Sequence, residues 1–213
     1  MLKSLKPDVK VYGVQACGAP SMQQSILEKK ICRLPQVSTI ADGIAVKEPG
    51  ELTFSLCSDF VDEIVAVTED EISTAILTLI EQQKLIAEGA VAVAVAAAMF
   101  GKLPIKGKKT VCIVSGGNID VTILSRIIKR GLLTSGRTCS FNIELLDKPG
   151  QLKKVSQIIA DLGGNVISIH HERSNEGSDI NGCFLRIELE TRNYEHIREI
   201  REGLVQGGFK LQN

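Results

Sequence analysis

Lys109-Thr110-Val111-Cys112-Ile113-Val114-Ser115-Gly116-Gly117-Asn118 is an apolar run that stops abruptly on a serine, two glycines and an asparagine. The run predicts a strand buried on both faces, as in parallel sheets. Ligands in such sheets sit beyond the carboxyl ends of the strands, which is where Ser115–Asn118 falls. Two glycines let backbone approach a flat ligand, and a serine there offers one hydroxyl hydrogen bond. Taken alone, the four residues read equally well as an ordinary tight turn.

Working upstream, strands and helices alternate. Lys3–Pro7 reads as the tail of a helix, Val9–Val14 as a strand, and Met22–Lys30 as a helix entered through Pro20 and Ser21. Ile40-Ala41-Asp42-Gly43 is a loop, Pro49–Phe60 is helix-like, and Ile64–Val67 is a second strand. Thr68-Glu69-Asp70-Glu71 carries capping-box spacing, and Ile72, Ala75, Ile76, Leu79 and Ile80 continue it with helical period. An alanine- and valine-rich helix runs from Glu88 to Phe100. The alternation predicts an α/β domain with a parallel sheet covered on both faces.

Downstream the rhythm changes. Lys129–Arg137 is polar enough for an interdomain linker. Cys139–Leu145 alternates as a half-exposed strand, Asp147-Lys148-Pro149-Gly150 is a turn, and Gln151–Leu162 is an amphipathic helix ending at Gly163-Gly164. Val166–His171 and Phe184–Leu189 are strands around the polar loop Ser174–Gly182, followed by a helix over Asn193–Gln206 and a strand at Phe209–Leu211. The order strand–helix–strand–strand–helix–strand is ferredoxin-like, an α+β sheet of four antiparallel strands with two helices on one face. Two domains are expected, residues 1–131 and 138–213.

Composition narrows the class. Hydrophobic residues at 44% and charged residues at 23% of 213 describe a chain able to bury a core rather than a disordered tail. Twenty-five basic residues balance 25 acidic ones, so nothing favours nucleic acid or an anionic membrane, and self-association is mildly favoured. The longest apolar run, Ala90–Phe100, is about eleven residues against the ~20 that span a bilayer. Met1-Leu2-Lys3 opens no signal peptide, so a soluble, cytoplasmic protein is expected. Its six cysteines form no CxxC or Cys/His cluster and read as buried, reduced thiols.

Ala41-Asp42-Gly43, Glu88-Gly89-Ala90 and Ile113–Asp120, in that order, resemble the fold-type-II (tryptophan-synthase-beta-like) pyridoxal-phosphate enzymes. The branch they resemble is the threonine/serine ammonia-lyases, which includes serine racemase. The likeness extends through Val9–Val14, Asp62-Glu63-Ile64 and Thr68–Ile72 and covers about the first 130 residues. It implies that Ser115 hydrogen-bonds the pyridine nitrogen of pyridoxal phosphate, that Gly43 and Gly116 lie against the cofactor, and that Glu88 stands near the ring. A hydroxyl does not enforce a protonated ring, which suits β-elimination. Glu88 also reads as a charge favoured at a helix N-terminus, and Asp42 as a loop cap.

In the family, the Schiff-base lysine, the serine-rich carboxylate loop and the glycine-rich phosphate loop precede the region matched here. No lysine of this chain stands in a matching context, so no residue is assigned as catalytic and deamination by this chain alone is not expected. The segment matching the family's cation site reads Gln15, Ala19, Ser21, without a carboxylate for a hard cation, so no metal is expected there.

Leu146–Leu152 and Gly163–Val166 resemble an ACT domain. That implies pairing into a homo-oligomer and an amino-acid effector bound near Asp147, Gly150 and Leu152, although the same stretch also reads as a turn capping a helix. His170-His171 has no cysteine or third histidine beside it in sequence and is given no metal role, and His196 is read as part of a solvated, charged helix face. Three functions stay open: an ammonia-lyase converting L-threonine, or L-serine, to the 2-oxo acid and ammonia; a non-catalytic, amino-acid-sensing allosteric module that pairs subunits; and a chain whose lysine comes from a companion segment.

Overall fold

A computed structural model describes residues 2–172 and 182–212; the expected loop Ser174–Gly182 lies outside them except for Gly182, which opens a strand. The described residues form two compact units, 1–131 and 132–213, and the division falls in the last turn of a helix.

The first unit opens with α1 (Leu2–Leu5) and β1 (Tyr12–Ala16), then α2 (Ser21–Glu28), a 3-10 turn at Asp42–Ile44, α3 (Glu51–Phe60) and β2 (Glu63–Val67). β1 and β2 pair in parallel, Tyr12 opposite Glu63 through Ala16 opposite Val67. Asp62 fixes the start of that register. Its carboxylate takes the Val11 N–H and the Lys3 and Lys10 ammonium groups at 2.5–2.9 Å, while its own N–H donates to the Val11 carbonyl at 2.8 Å. α4 (Glu69–Thr78) starts on the expected capping box: Glu71 N–H donates to Thr68 Oγ1 at 3.3 Å, and Thr68 N–H donates to Glu71 Oε2 at 2.8 Å. A π-helical turn, Leu79–Gln83, extends it. α5 (Gly89–Met99) is alanine-rich on every side because it is packed between neighbours: Ala92, Val93, Ala96 and Ala97 join Ala16, Val67, Ile72 and Ile76 in one core.

Two expectations fail in this unit. Lys109–Val114 forms no regular element and belongs to no sheet, with Val111 88% and Ile113 75% exposed. A ladder needs a neighbour, and no described segment runs alongside this one. Lys129–Arg137 is not a linker over its first two-thirds, because α6 (Val121–Thr134) runs through it to Thr134. The signal was the spacing Ile123, Leu124, Ile127 and Gly131. Ile127 is buried, Ile123 and Leu124 pack on the same core, and a Cβ on Gly131 would lie 2.5 Å from Leu77 Cδ2.

The second unit has the expected order: β3 (Thr138–Leu146), α7 (Gln151–Asp161), β4 (Asn165–Glu172), β5 (Gly182–Glu190), α8 (Tyr194–Gln206) and β6 (Lys210–Gln212). The sheet order is β4-β5-β3-β6, antiparallel throughout. Phe141, Ile143 and Leu145 of β3 and Cys183, Leu185, Ile187 and Leu189 of β5 pack with Val155 and Ile159 of α7 and Ile200 and Leu204 of α8. Fully burying side chains of this size contributes about 1.5–3 kcal/mol each before ordering entropy is subtracted.

His196 is not on a solvated face; it is 1% exposed. Its Nδ1 accepts from the Arg192 N–H at 3.1 Å and Nε2 lies 2.9 Å from the Leu162 carbonyl, so Nε2 carries the proton and donates. The surrounding Glu195, Arg198 and Glu199 concealed a position that faces inward. The cysteine expectation also changes. None of the six forms a disulfide, but only Cys183 is buried and Cys17 is exposed.

Candidate functional site

Three loops of the first unit converge at the start of α5. Glu88 is its N-cap residue by backbone, yet its carboxylate makes no capping hydrogen bond. It is held instead between Gly43 and Gly116: a Cβ built on Gly116 would lie 2.6 Å from Glu88 Oε1, and one on Gly43 would lie 3.8 Å from the same oxygen and 3.0 Å from Ala90 Cβ. Glu88 N–H donates to the Gly116 carbonyl at 3.3 Å, tying the 115–118 loop to the helix start. The structure therefore brings together Gly43, Glu88 and Gly116, with the exposed Ser115 adjoining them. Glu88 stands at the N-terminus of α5, where its charge was also expected, and Asp42 serves its loop: Asp42 Oδ1 accepts the Gly43 N–H at 2.8 Å.

Gly89 is a residue that sequence reasoning passed over. A Cβ there would fall 2.6 Å from the Ile40 carbonyl oxygen and 2.8 Å from Ala41 Cα, so only glycine lets the 40–43 loop rest on the helix start. Its place between Glu88 and Ala90 was the available signal. Glu69 holds the other side of that loop, its Oε2 accepting the Ile40 N–H at 2.8 Å. Gln15, matched to the family's cation site, is engaged within its own turn: it donates to the Ala19 carbonyl and accepts the Gln23 N–H. Ser21 is buried beside that turn.

Below the cradle, Lys102 contacts Glu71 at 2.8 Å. Burial acts to raise the Glu71 carboxyl, but the Lys102 ammonium and the Thr68 N–H outweigh it and hold the group below the usual carboxylate range. The Cys112 thiol, part-buried with a contact to the Ala94 carbonyl, is pushed up by desolvation and is a poor nucleophile.

The second unit carries a cavity of about 290 Å³ at the open end of its sheet. Asp147, Gly150 and Leu152 all line it, joined by Leu145, His171 and Cys183. Gly150 stands at the N-terminus of α7 with φ 89°, a left-handed conformation that glycine adopts at no steric cost. The first residues of α7, Gln151 and Leu152, line the cavity, and helix starts in general attract carboxylates. His171 and Cys183 were not selected from sequence, because only strand pairing makes them neighbours.

Comparison with known proteins places a known family on each of the two units. Residues 1–116 match the family model described as pyridoxal-phosphate dependent enzyme, and residues 140–206 match the ACT domain. The chain is 47% identical over 211 residues to an L-threonine ammonia-lyase of Thermotoga maritima, covering 99% of this chain and 52% of that protein. It is 42% identical over 208 residues to an L-threonine ammonia-lyase of Geobacter sulfurreducens, covering 98% and 52%. It thus spans about half the length of these curated relatives. Among solved structures, the processed form of threonine deaminase isoform 2 from Solanum lycopersicum superposes with TM-score 0.57 at 37% identity, over 62% of this chain and 37% of that one. Maize serine racemase superposes with TM-score 0.53 at 31% identity, over 62% and 41%. With the family match covering residues 1–116 and the ACT match following it, the chain belongs to the family of pyridoxal-phosphate dependent enzymes, with an ACT domain at its carboxyl side.

Proposed function

We propose that residues 1–131 are the carboxyl-side part of the catalytic domain of an L-threonine ammonia-lyase, which forms 2-oxobutanoate and ammonia and also accepts L-serine. Residues 138–213 are its regulatory ACT domain, and the protein works in the cytoplasm as a homo-oligomer paired through those domains. The observation that carries the reading is the Glu88 carboxylate set between Gly43 and Gly116.

Pyridoxal phosphate fits this cradle, because the two positions facing the carboxylate lack the Cβ atoms that would fill it. When bound, the cofactor supplies the electron sink that makes loss of the β-hydroxyl feasible. Gly43 and Gly116 lay bare backbone against a flat ring. Ser115 would offer its hydroxyl to the pyridine nitrogen, a partner that does not force a proton onto it. Glu88 sets its carboxyl group at the wall, and Gly89 keeps the 40–43 loop seated on α5. These residues bind and orient; abstraction of the α-proton is assigned to none of them.

The experiment is a 2-oxobutanoate assay on L-threonine. The 213-residue chain should release none, with or without pyridoxal phosphate. The same chain completed by the amino-terminal half of the Thermotoga maritima relative should release it. Failure of the completed, folded, cofactor-loaded protein would overturn the lyase reading.

The cavity beside Gly150 favours a second role in the same protein, binding of an amino-acid effector at Asp147, Gly150 and Leu152. Its volume lies just under the range of about 300–1,000 Å³ seen for drug-sized ligands. A thermal-shift screen of free amino acids should raise the Tm with one or a few of them, and Leu152→Glu should abolish the shift.

A further inference from the structure

We propose that Asp147, His171 and Cys183 form a binding site for a divalent transition metal of the zinc class at the open end of the ACT sheet. One carboxylate oxygen, one imidazole nitrogen and the thiol sulfur lie within 4.8 Å of one another.

The strand register produces this meeting. His171 stands opposite Leu185, and Leu145 stands opposite Cys183. Cross-strand partners share a face, and so do residues two apart on one strand. His171, Cys183 and Leu145 therefore look to the helix side of the sheet, and Asp147 follows just beyond the end of β3. His170 pairs with Arg186 and looks to the opposite side. Adjacent histidines on a strand make poor co-ligands; His171 finds its co-ligands on two other segments.

The donor set selects the ion. Thiolate, imidazole and carboxylate suit zinc and its close relatives, whereas magnesium and calcium take oxygen donors alone. Zn–S of about 2.3 Å and Zn–N of about 2.0–2.1 Å put tetrahedral donors roughly 3.2–3.8 Å apart. With every pair within 4.8 Å, the trio needs to tighten by at most about 1–1.6 Å. Cys183, 2% exposed, is the anchored member. His171 and Asp147 are exposed side chains beside it at the sheet end. Binding transfers the Cys183 thiol proton to solvent, with no change of oxidation state, and leaves a fourth position for water. None of this depends on the amino-acid reading of the same cavity.

The test titrates the reduced, chelator-stripped chain with Co²⁺ alone, without oxygen, and follows absorbance. One equivalent should bind, with a thiolate-to-cobalt charge-transfer band and tetrahedral ligand-field bands. His171→Ala should weaken binding roughly tenfold or more. His170→Ala should leave it unchanged, and Cys183→Ser should erase the charge-transfer band. Should Cys183→Ser fail to fold, as a core position can, the two histidine variants decide the question. Absence of a thiolate band, its survival in folded Cys183→Ser, or equal weakening by both histidine variants would overturn the site. Because no amino acid is added, that result would leave the effector reading standing.

Discussion

Gly116 and His196 show how far a single residue's meaning depends on what stands opposite it. A methyl group on Gly116 meets only the end of the Glu88 side chain, which can swing away, so Gly116→Ala should fold. The displaced carboxylate would no longer shape the cradle. In the completed enzyme, affinity for pyridoxal phosphate should fall by about tenfold or more, roughly 1.4 kcal/mol, with the Tm nearly unchanged; equal affinity in both forms would remove Glu88 and Gly116 from the site. His196 predicts the reverse, a stability effect without a binding effect. His196→Ala removes a buried ring and leaves the Leu162 carbonyl and Arg192 N–H without it. The expected loss is about 2–4 kcal/mol in urea unfolding. A change under 1 kcal/mol, as surface substitutions give, would restore the solvated-face reading.

At the scale of elements, Asp62 joins three of them: α1 through Lys3, and the starts of β1 and β2 through Val11 and Lys10. The Lys3 ammonium first, then the Val11 N–H and the Lys10 ammonium, hold its carboxyl far below the usual carboxylate range. A carboxyl depressed in the folded state adds stability above its unfolded pKa, about 3.9, and that stability drains away as pH falls further. Asp62→Asn should therefore lower stability at neutral pH and flatten its fall below about pH 4. Parallel curves for the two forms in acid urea titrations would show that the Asp62 contacts add nothing. The capping box and the Gly150 turn were legible as elements because each is written in consecutive residues. The strand expected at Lys109–Val114 was not, because a strand is a relation between segments rather than a property of one.

Taken whole, the molecule exposes more apolar surface than its zero formal charge helps keep dispersed. Leu27, Leu52, Val111, Ile113 and Val121 are each 72–88% exposed, and the β1–β2 pair leaves both of its outer edges without a described neighbour. Among the described residues, no helix is long and apolar enough to cross a membrane, so a bilayer-spanning helix does not account for that surface. Sedimentation velocity at micromolar concentration should show species above the monomer that grow with concentration. Charged replacements at Val111 and Ile113 should reduce them, and a monodisperse monomer would contradict the expectation.

What the sequence determined by itself was local or motif-borne: the Thr68 box, the helical periods, the order of elements in the second unit, and the residues that carry the family likeness. These follow from neighbours three or four apart and from short signatures around Gly43, Glu88 and Ser115. Only the tertiary structure decided that Glu88 faces Gly116, that His196 points inward, and that His171 meets Cys183 and Asp147. Each is a contact between segments distant along the chain. Such contacts are set by strand register and helix packing, which amino-acid spacing does not record.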